Sequence, residues 1–258
     1  MPLAHDRRGS GPPLVLIHGI GSQWQMWVPV LDRLAREREV VSVDLPGFGD
    51  SDELPAQPTV EALAGAVGEF LEEIGLPGAH AAGNSLGGAV ALELARQGGA
   101  RSACVLSPAG FGNMREGRYA RAVLVSSRRV AQRLAPRAEL MLKGPARRTL
   151  AFGHLVARPW RVPPDEAVGA MRNLARSPGF ERTLEALGDH AFGGHTLDCP
   201  VTVAWGEKDR LLLYSRQSAR AKRLLPDARH VTLEGCGHVP TWDDPEQVAR
   251  VLLEASPD

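Results

Sequence analysis

The chain has 258 residues, with thirty basic and thirty acidic side chains and a formal net charge of zero. That length suits one α/β domain with an insertion and is enough to bury a large core, while neutrality argues against a nucleic-acid binder. No apolar run is long enough to span a bilayer and residues 1–6 do not read as a leader, so a cytoplasmic protein is expected.

The elements alternate along the chain. Leu14, Val15, Leu16 and Ile17 form a continuous apolar run, as a strand buried on both faces requires. His18-Gly19-Ile20-Gly21 follows it directly. Val40, Val41, Ser42 and Val43 make the next strand, which runs into Asp44-Leu45-Pro46-Gly47-Phe48-Gly49-Asp50-Ser51-Asp52. Residues 61–74 read as a helix, because Leu63, Val67, Phe70, Leu71 and Ile74 recur at helical spacing before Gly75 and Pro77 end it. Residues 79–82 form a short strand, then Gly83-Asn84-Ser85-Leu86-Gly87 leads into an Ala- and Leu-rich helix. A serine on such a strand-to-helix turn is strained and exposed. The flanking glycines permit the turn, and the helix aims its first N–H groups at the serine. Residues 103–106 are strand-like and end at Ser107-Pro108.

From residue 111 to 194 strand-like runs vanish and helical segments take over. Residues 111–189 hold fourteen arginines and one lysine against seven carboxylates. A solvated basic face accounts for this; attraction of an anionic substrate or peripheral contact with a lipid surface would use the same charge. Val123, Leu124, Val125, Val130, Leu134, Leu140, Met141 and Leu142 are expected to face the core and roof a pocket. Strands resume at 201–205, ending in Gly206-Glu207-Lys208-Asp209, and at 230–233, ending in Gly235-Cys236-Gly237-His238. Helices are expected at 216–225 and 246–255, the latter opened by Asp244 and Pro245 as cap and first residue. The alternation implies a mostly parallel sheet with helices on both faces, and each chemical residue sits just past the C-terminal end of a strand.

These motifs, in this order, resemble those of the α/β-hydrolase-fold superfamily, in its serine esterase and lipase-like branch. The fold this implies is a doubly wound sheet with a helical cap: residues 1–110 and 195–258 as the core domain, residues 111–194 as the cap. The resemblance makes Ser85 the nucleophile, His238 its base and Asp209 the acid that orients His238, with Glu207 as a local decoy. It assigns the oxyanion hole to the backbone N–H groups of Leu86 and of Ile20 or Gly21. His18 and Asp44 then hold the early loops. His80, His154, His190, His195 and His230 have no motif support, and Cys236 reads as a packing residue. Trp24, Asn84 and Trp242 are candidates for the substrate pocket, with Trp24 and Trp27 equally able to be core.

The odd cysteine count (Cys104, Cys199 and Cys236) and their spacing suggest free thiols, and no metal or cofactor motif is present, so no cofactor is expected. Only Lys143, Lys208 and Lys222 are lysines, an Arg, Ala and Gly bias typical of a GC-rich bacterial genome. The activity implied is hydrolysis of a carboxylic ester on a small-molecule substrate. The alternative is a carbon–carbon hydrolase of meta-cleavage type. The 44–52 and 83–92 segments are similar to those enzymes, while the early loop is poorer in Gly and Pro and Val239 stands where they usually carry Trp. A non-catalytic receptor on the same fold is a third reading. Oligomeric state is not legible.

Overall fold

The computed structural model describes residues 2–188, 190–194 and 197–257. Seven strands form one sheet: β1 (His5–Arg8), β2 (Pro13–Ile17), β3 (Glu39–Val43), β4 (His80–Asn84), β5 (Ser102–Leu106), β6 (Val201–Gly206) and β7 (Arg229–Leu233). Their order is β1-β3-β2-β4-β5-β6-β7, and every pairing is parallel except β1 with β3. The buried strands β2 to β6 are the apolar runs of the sequence. β1 was not anticipated. Its residues, His-Asp-Arg-Arg, alternate between exposed and half-buried at the sheet edge and carry no apolar signal. Arg7 pairs with Glu39, and Arg8 with Asp6 and Asp32. Charges along an edge strand also discourage pairing with another chain.

The two faces of the sheet have separate cores. One contains Val15, Ile17, Val41 and Val43 under α2 (Val60–Glu73) and α3 (Leu86–Arg96). The other contains Leu14, Leu16 and Val40 under α1 (Val28–Leu34) and α10 (Pro245–Glu254). Adjacent residues of one strand supply opposite faces, as the two-residue period of a strand dictates. α2 begins where the Thr59 side chain accepts from Ala62 N–H, and it buries Leu63, Val67, Phe70 and Leu71. Each such side chain contributes about 1.5–3 kcal/mol when fully buried. α10 starts as expected, with Asp244 accepting from Gln247 N–H ahead of Pro245.

Between β5 and β6 lie α4 (Met114–Leu134), α5 (Ala138–Leu142), α6 (Pro145–Phe152), α7 (Pro164–Arg176) and α8 (Phe180–Gly188). α9 (Tyr214–Leu224) follows β6. A third apolar cluster, including Leu142, Phe152, Val168 and Met171, holds α4 to α7 together, whereas Phe180 and Leu184 of α8 join the main core. The expected boundary at residue 195 falls on His195, outside the described residues. Val130 and Leu140 do not face a core: they are 50% and 67% exposed. α4 is amphipathic, and Val130 lies on its solvent side next to Arg129. Among the described residues, no helix is long and apolar enough to cross a membrane.

Several arginines of this layer are structural. Arg148 is buried and donates to the carbonyls of Leu142, Lys143 and Trp160. Arg128 is buried over the Phe180 ring, 4.7 Å from its centroid, and pairs with Glu181.

Candidate active site

The turn between β4 and α3 holds Ser85 at φ 58° and ψ −116°. A residue with a Cβ adopts such backbone only under constraint, at a cost of order 1–3 kcal/mol. Three hydrogen bonds supply the constraint. Ser85 N–H donates to Leu106 O at 3.0 Å, and Ser85 O accepts from Ala89 N–H at 3.1 Å and Ala109 N–H at 2.9 Å. The glycines around it are a packing requirement. A Cβ on Gly83 would stand 2.0 Å from Gly87 O, and one on Gly87 would stand 2.1 Å from Ile17 O. α3 opens at Leu86, where the first N–H groups of a helix have no partner within it.

Asp209 and His238 meet across the ends of β6 and β7. His238 Nδ1 lies 2.8 Å from Asp209 Oδ2, and both residues are buried. Asp209 Oδ1 accepts from the N–H groups of Leu211 and Leu212, each at 2.9 Å, so the carboxylate cannot rotate freely. A carboxylate only accepts, so Nδ1 carries the hydrogen and Nε2 keeps its lone pair.

The loop carrying His238 is held from two sides. Asn84 Nδ2 donates to His238 O at 2.9 Å and to Leu106 O at 3.0 Å. Asp243 Oδ2 accepts from Gly237 N–H at 2.7 Å and from Ala157 N–H at 2.9 Å, and its Oδ1 accepts from Arg158 N–H. Burial raises the Asp243 pKa despite these donors. His154, bonded to the Ser127 hydroxyl at 3.0 Å, is held below the usual histidine range by burial and by nearby His238.

A cavity of about 420 Å³ opens on Ser85. Ile20, Met114, Leu124, Leu184 and Leu187 supply apolar wall, and Arg118, Arg121 and Gln217 supply polar wall. Arg121 is braced by a bond to Leu184 O. Gln217 was not picked out in the sequence. It is buried, and its Oε1 lacks a partner among the described residues. The signal existed: Gln217 shares the buried face of α9 with Ala221, four residues on.

The chain matches the model of the alpha/beta hydrolase family over residues 14–251. It belongs to that family. It is 32% identical over 249 residues to the dihydrolipoyllysine-residue acetyltransferase component of the acetoin cleaving system of Cupriavidus necator, a match covering 91% of this chain and 61% of that protein. The chain therefore spans less than two thirds of this relative's length. A thermophilic esterase from Thermogutta terrifontis superposes with a TM-score of 0.76 at 24% identity, covering 98% of this chain and 92% of that one. The 2-hydroxy-6-oxo-6-phenylhexa-2,4-dienoate hydrolase of Rhodococcus sp. strain RHA1 does so at 0.72 and 21%, covering 98% of each. At these identities the two structures show the shared fold.

In this alpha/beta hydrolase the sequence-derived residues divide into two groups. Ser85 and Ile20 share one cavity, and Asp209 bonds His238. Trp24, Asn84 and Trp242 are not on that cavity's wall among the described residues. Trp24 packs on the core under α1 and α10, and its N–H donates to Asp44 Oδ1 at 2.7 Å. The Asn84 amide is taken by two carbonyls. Trp242 turns toward α7, where its Nε1–H donates to Glu166 Oε2 at 2.7 Å, and it lines a separate cavity. Trp242 follows His238 by four residues in a short 3-10 turn, Pro240–Trp242, yet its ring lines that other cavity.

The neighbouring loops are pinned as the sequence suggested. His18, fully buried, bonds Gly19 O through Nδ1 at 2.7 Å and accepts from Leu45 N–H at Nε2. Burial lowers its pKa. Asp44 accepts from Trp24 and Asp50 N–H groups. Cys236 is buried with its thiol pushed up to about 12 by burial, which suits packing and not nucleophilic attack.

Proposed function

We propose that this protein hydrolyses a carboxylic ester of a small or medium-sized apolar substrate through an acyl-enzyme on Ser85. The observation that carries this reading is the 2.8 Å bond between Asp209 and His238, whose carbonyl accepts from Asn84, the chain neighbour of a serine held on a strained turn and lining a cavity. A serine hydroxyl is too weak an acid to react alone. His238 Nε2 takes its proton as Oγ attacks the ester carbonyl, and Asp209 stabilises the imidazolium that forms. The N–H groups of Leu86 and of Ile20 or Gly21 receive the oxyanion. His238 then protonates the leaving alcohol, and a water deprotonated by His238 frees the acid. Helices α4 to α8 act as the cap over the acyl group. The cavity volume is within the range that holds small ligands, and its wall is largely apolar.

A second reading is carbon–carbon cleavage of a vinylogous keto-acid. It is favoured by Arg118 and Arg121 on the cavity wall, which would receive a substrate carboxylate. The test is turnover of a p-nitrophenyl ester series, acetate to palmitate, by wild type and Ser85→Ala, with fluorophosphonate labelling. Ester turnover lost in the variant, and label on Ser85, supports the first reading. Inertness to every ester, with cleavage of a keto-acid, supports the second. Binding without turnover of either would indicate a receptor.

A further inference from the structure

The part of the helical layer formed by α5, α6 and the short 3-10 turn Pro159–Arg161 presents apolar and basic side chains together to solvent. Leu140 on α5 is 67% exposed, Leu150 on α6 is 88% exposed and Trp160 is 50% exposed. The exposure of the two leucines follows from helix geometry. Leu142 and Phe152, two residues further along the same helices, are buried in the third apolar cluster. A step of two residues turns an α-helix by roughly 200°, so Leu140 and Leu150 face outward.

Hydrogen bonds hold these segments together. Arg147, in the first turn of α6, donates to Leu140 O at 3.1 Å, and Leu150 lies three residues further on the same side of α6. The buried Arg148 joins α5, α6 and the Trp160 turn by donating to the carbonyls of Leu142, Lys143 and Trp160. Cations stand among the apolar side chains. Residues 137–161 hold five arginines and one lysine against a single carboxylate, Glu139, and Glu139 pairs with Arg172 at 2.9 Å. Lys143, Arg147 and Arg161 are exposed.

Apolar side chains scattered singly over a surface are ordinary, but grouped and rimmed by charge they mark an interaction site. We propose that this face docks on an anionic lipid bilayer, with Leu140, Leu150 and Trp160 entering the boundary of the acyl layer and Lys143, Arg147 and Arg161 meeting the headgroups. The charge sets the sign of the lipid. The projecting side chains argue for lipid over other acidic partners. A nucleic acid would take the cations and leave both leucines in water. A folded protein would need a pocket for each of them, whereas fluid acyl chains accommodate them without one. A Trp ring half out of the surface suits the headgroup level. The docking does not depend on the chemistry at Ser85, whose cavity is lined by other residues.

The test is flotation of the full chain at low salt with vesicles of phosphatidylcholine, alone or mixed with phosphatidylglycerol. The mixed vesicles should bind roughly tenfold or more tightly than phosphatidylcholine alone, because each cation at an anionic surface contributes about fivefold. Leu140→Ser with Leu150→Ser, and separately Lys143→Gln with Arg161→Gln, should each weaken binding roughly tenfold or more while melting as wild type does. Ser85→Ala should bind as wild type does. Absence of binding, or equal binding to both kinds of vesicle, overturns the proposal. So does binding that falls with the cations but not with the leucines and is matched by duplex DNA, which would show a general attraction to polyanions. Loss of binding in Ser85→Ala would move the contact to the cavity and overturn it as well. Ester turnover without vesicle binding removes this surface alone, and vesicle binding without turnover removes the Ser85 reading alone.

Discussion

Asp209→Asn is a change of one atom whose effect can be worked out from the hydrogen bonds. Oδ1 of Asp209 accepts from two backbone N–H groups, and Oδ2 accepts from His238 Nδ1. An asparagine must keep its oxygen toward the two N–H groups, because an NH₂ there would face donors. Its NH₂ then points at His238 Nδ1. That nitrogen must turn into an acceptor, so the hydrogen moves to Nε2 and the base loses the lone pair that would take the Ser85 proton. A loss of about 10⁴-fold in kcat is expected, equal to about 5 kcal/mol in the barrier. The two backbone bonds survive, so stability should change by no more than about 1–2 kcal/mol. The assay is p-nitrophenyl ester turnover beside thermal melting. A kcat within tenfold of wild type, in a protein that melts normally, would refute the assignment of Asp209 and the tautomer argument together.

Other outcomes are expected. Gly87→Ala should lower stability by roughly 3 kcal/mol or prevent folding, because its Cβ would fall 2.1 Å from the Ile17 carbonyl, a backbone atom that cannot step aside; a melting temperature equal to wild type contradicts this. Asn84→Leu should strand the His238 carbonyl, while Leu106 O keeps its bond from Ser85 N–H, cost about 1–3 kcal/mol, and lower kcat more than it raises KM; unchanged kcat would mean that the loop holds His238 without it. His18 is buried and held below its ordinary pKa by desolvation. The unfolded chain therefore binds a proton that the folded chain refuses, and stability falls as pH drops below about 6.5, by about 1.4 kcal/mol per pH unit from this group. Urea midpoints that stay flat from about pH 6.5 to about pH 5 would show that His18 does not act this way.

The sheet was legible because buried parallel strands need unbroken apolar runs, and such runs are conspicuous between polar turns. β1 escaped because an edge strand can be charged on its outer side, so His-Asp-Arg-Arg gives no period-two apolar signal. Within the helical insertion, residue type alone misled. Val130 and Leu140 are apolar yet exposed, while Arg128 and Arg148 are charged yet buried. Which face of each helix is inward depends on neighbours that no local window contains. The pocket residues failed for a related reason. Asn84 and Trp242 lie next to Ser85 and near His238 in sequence, but their side-chain N–H groups are claimed by Leu106, His238 and Glu166. Gln217, 132 positions beyond Ser85, is on the cavity wall instead.

The strained serine shows why the motif could be read at all. A positive φ at Ser85 is unfavourable by itself, and it persists because Leu106, Ala89 and Ala109 hold the backbone on both sides. Around that turn the start of α3 approaches β4 and the end of β2 more closely than a Cβ permits, so Gly83 and Gly87 follow from the geometry of the serine. Gly88 belongs to the same collar, since a Cβ there would lie 2.9 Å from the Pro108 ring. Ser107, at φ 44° at the end of the next strand, is held in the same manner, with its N–H on Ala204 O and its hydroxyl accepting from Gly206 N–H. Two strained residues on adjacent strand ends therefore brace the ground between Ser85 and the Asp209 loop. A Ser107→Gly change would relieve the backbone strain but lose the Gly206 contact. If that contact positions the Asp209 loop, the variant should melt near wild type yet turn over esters more slowly. Equal turnover would mean that the 2.8 Å bond to His238 holds the loop without help from β5.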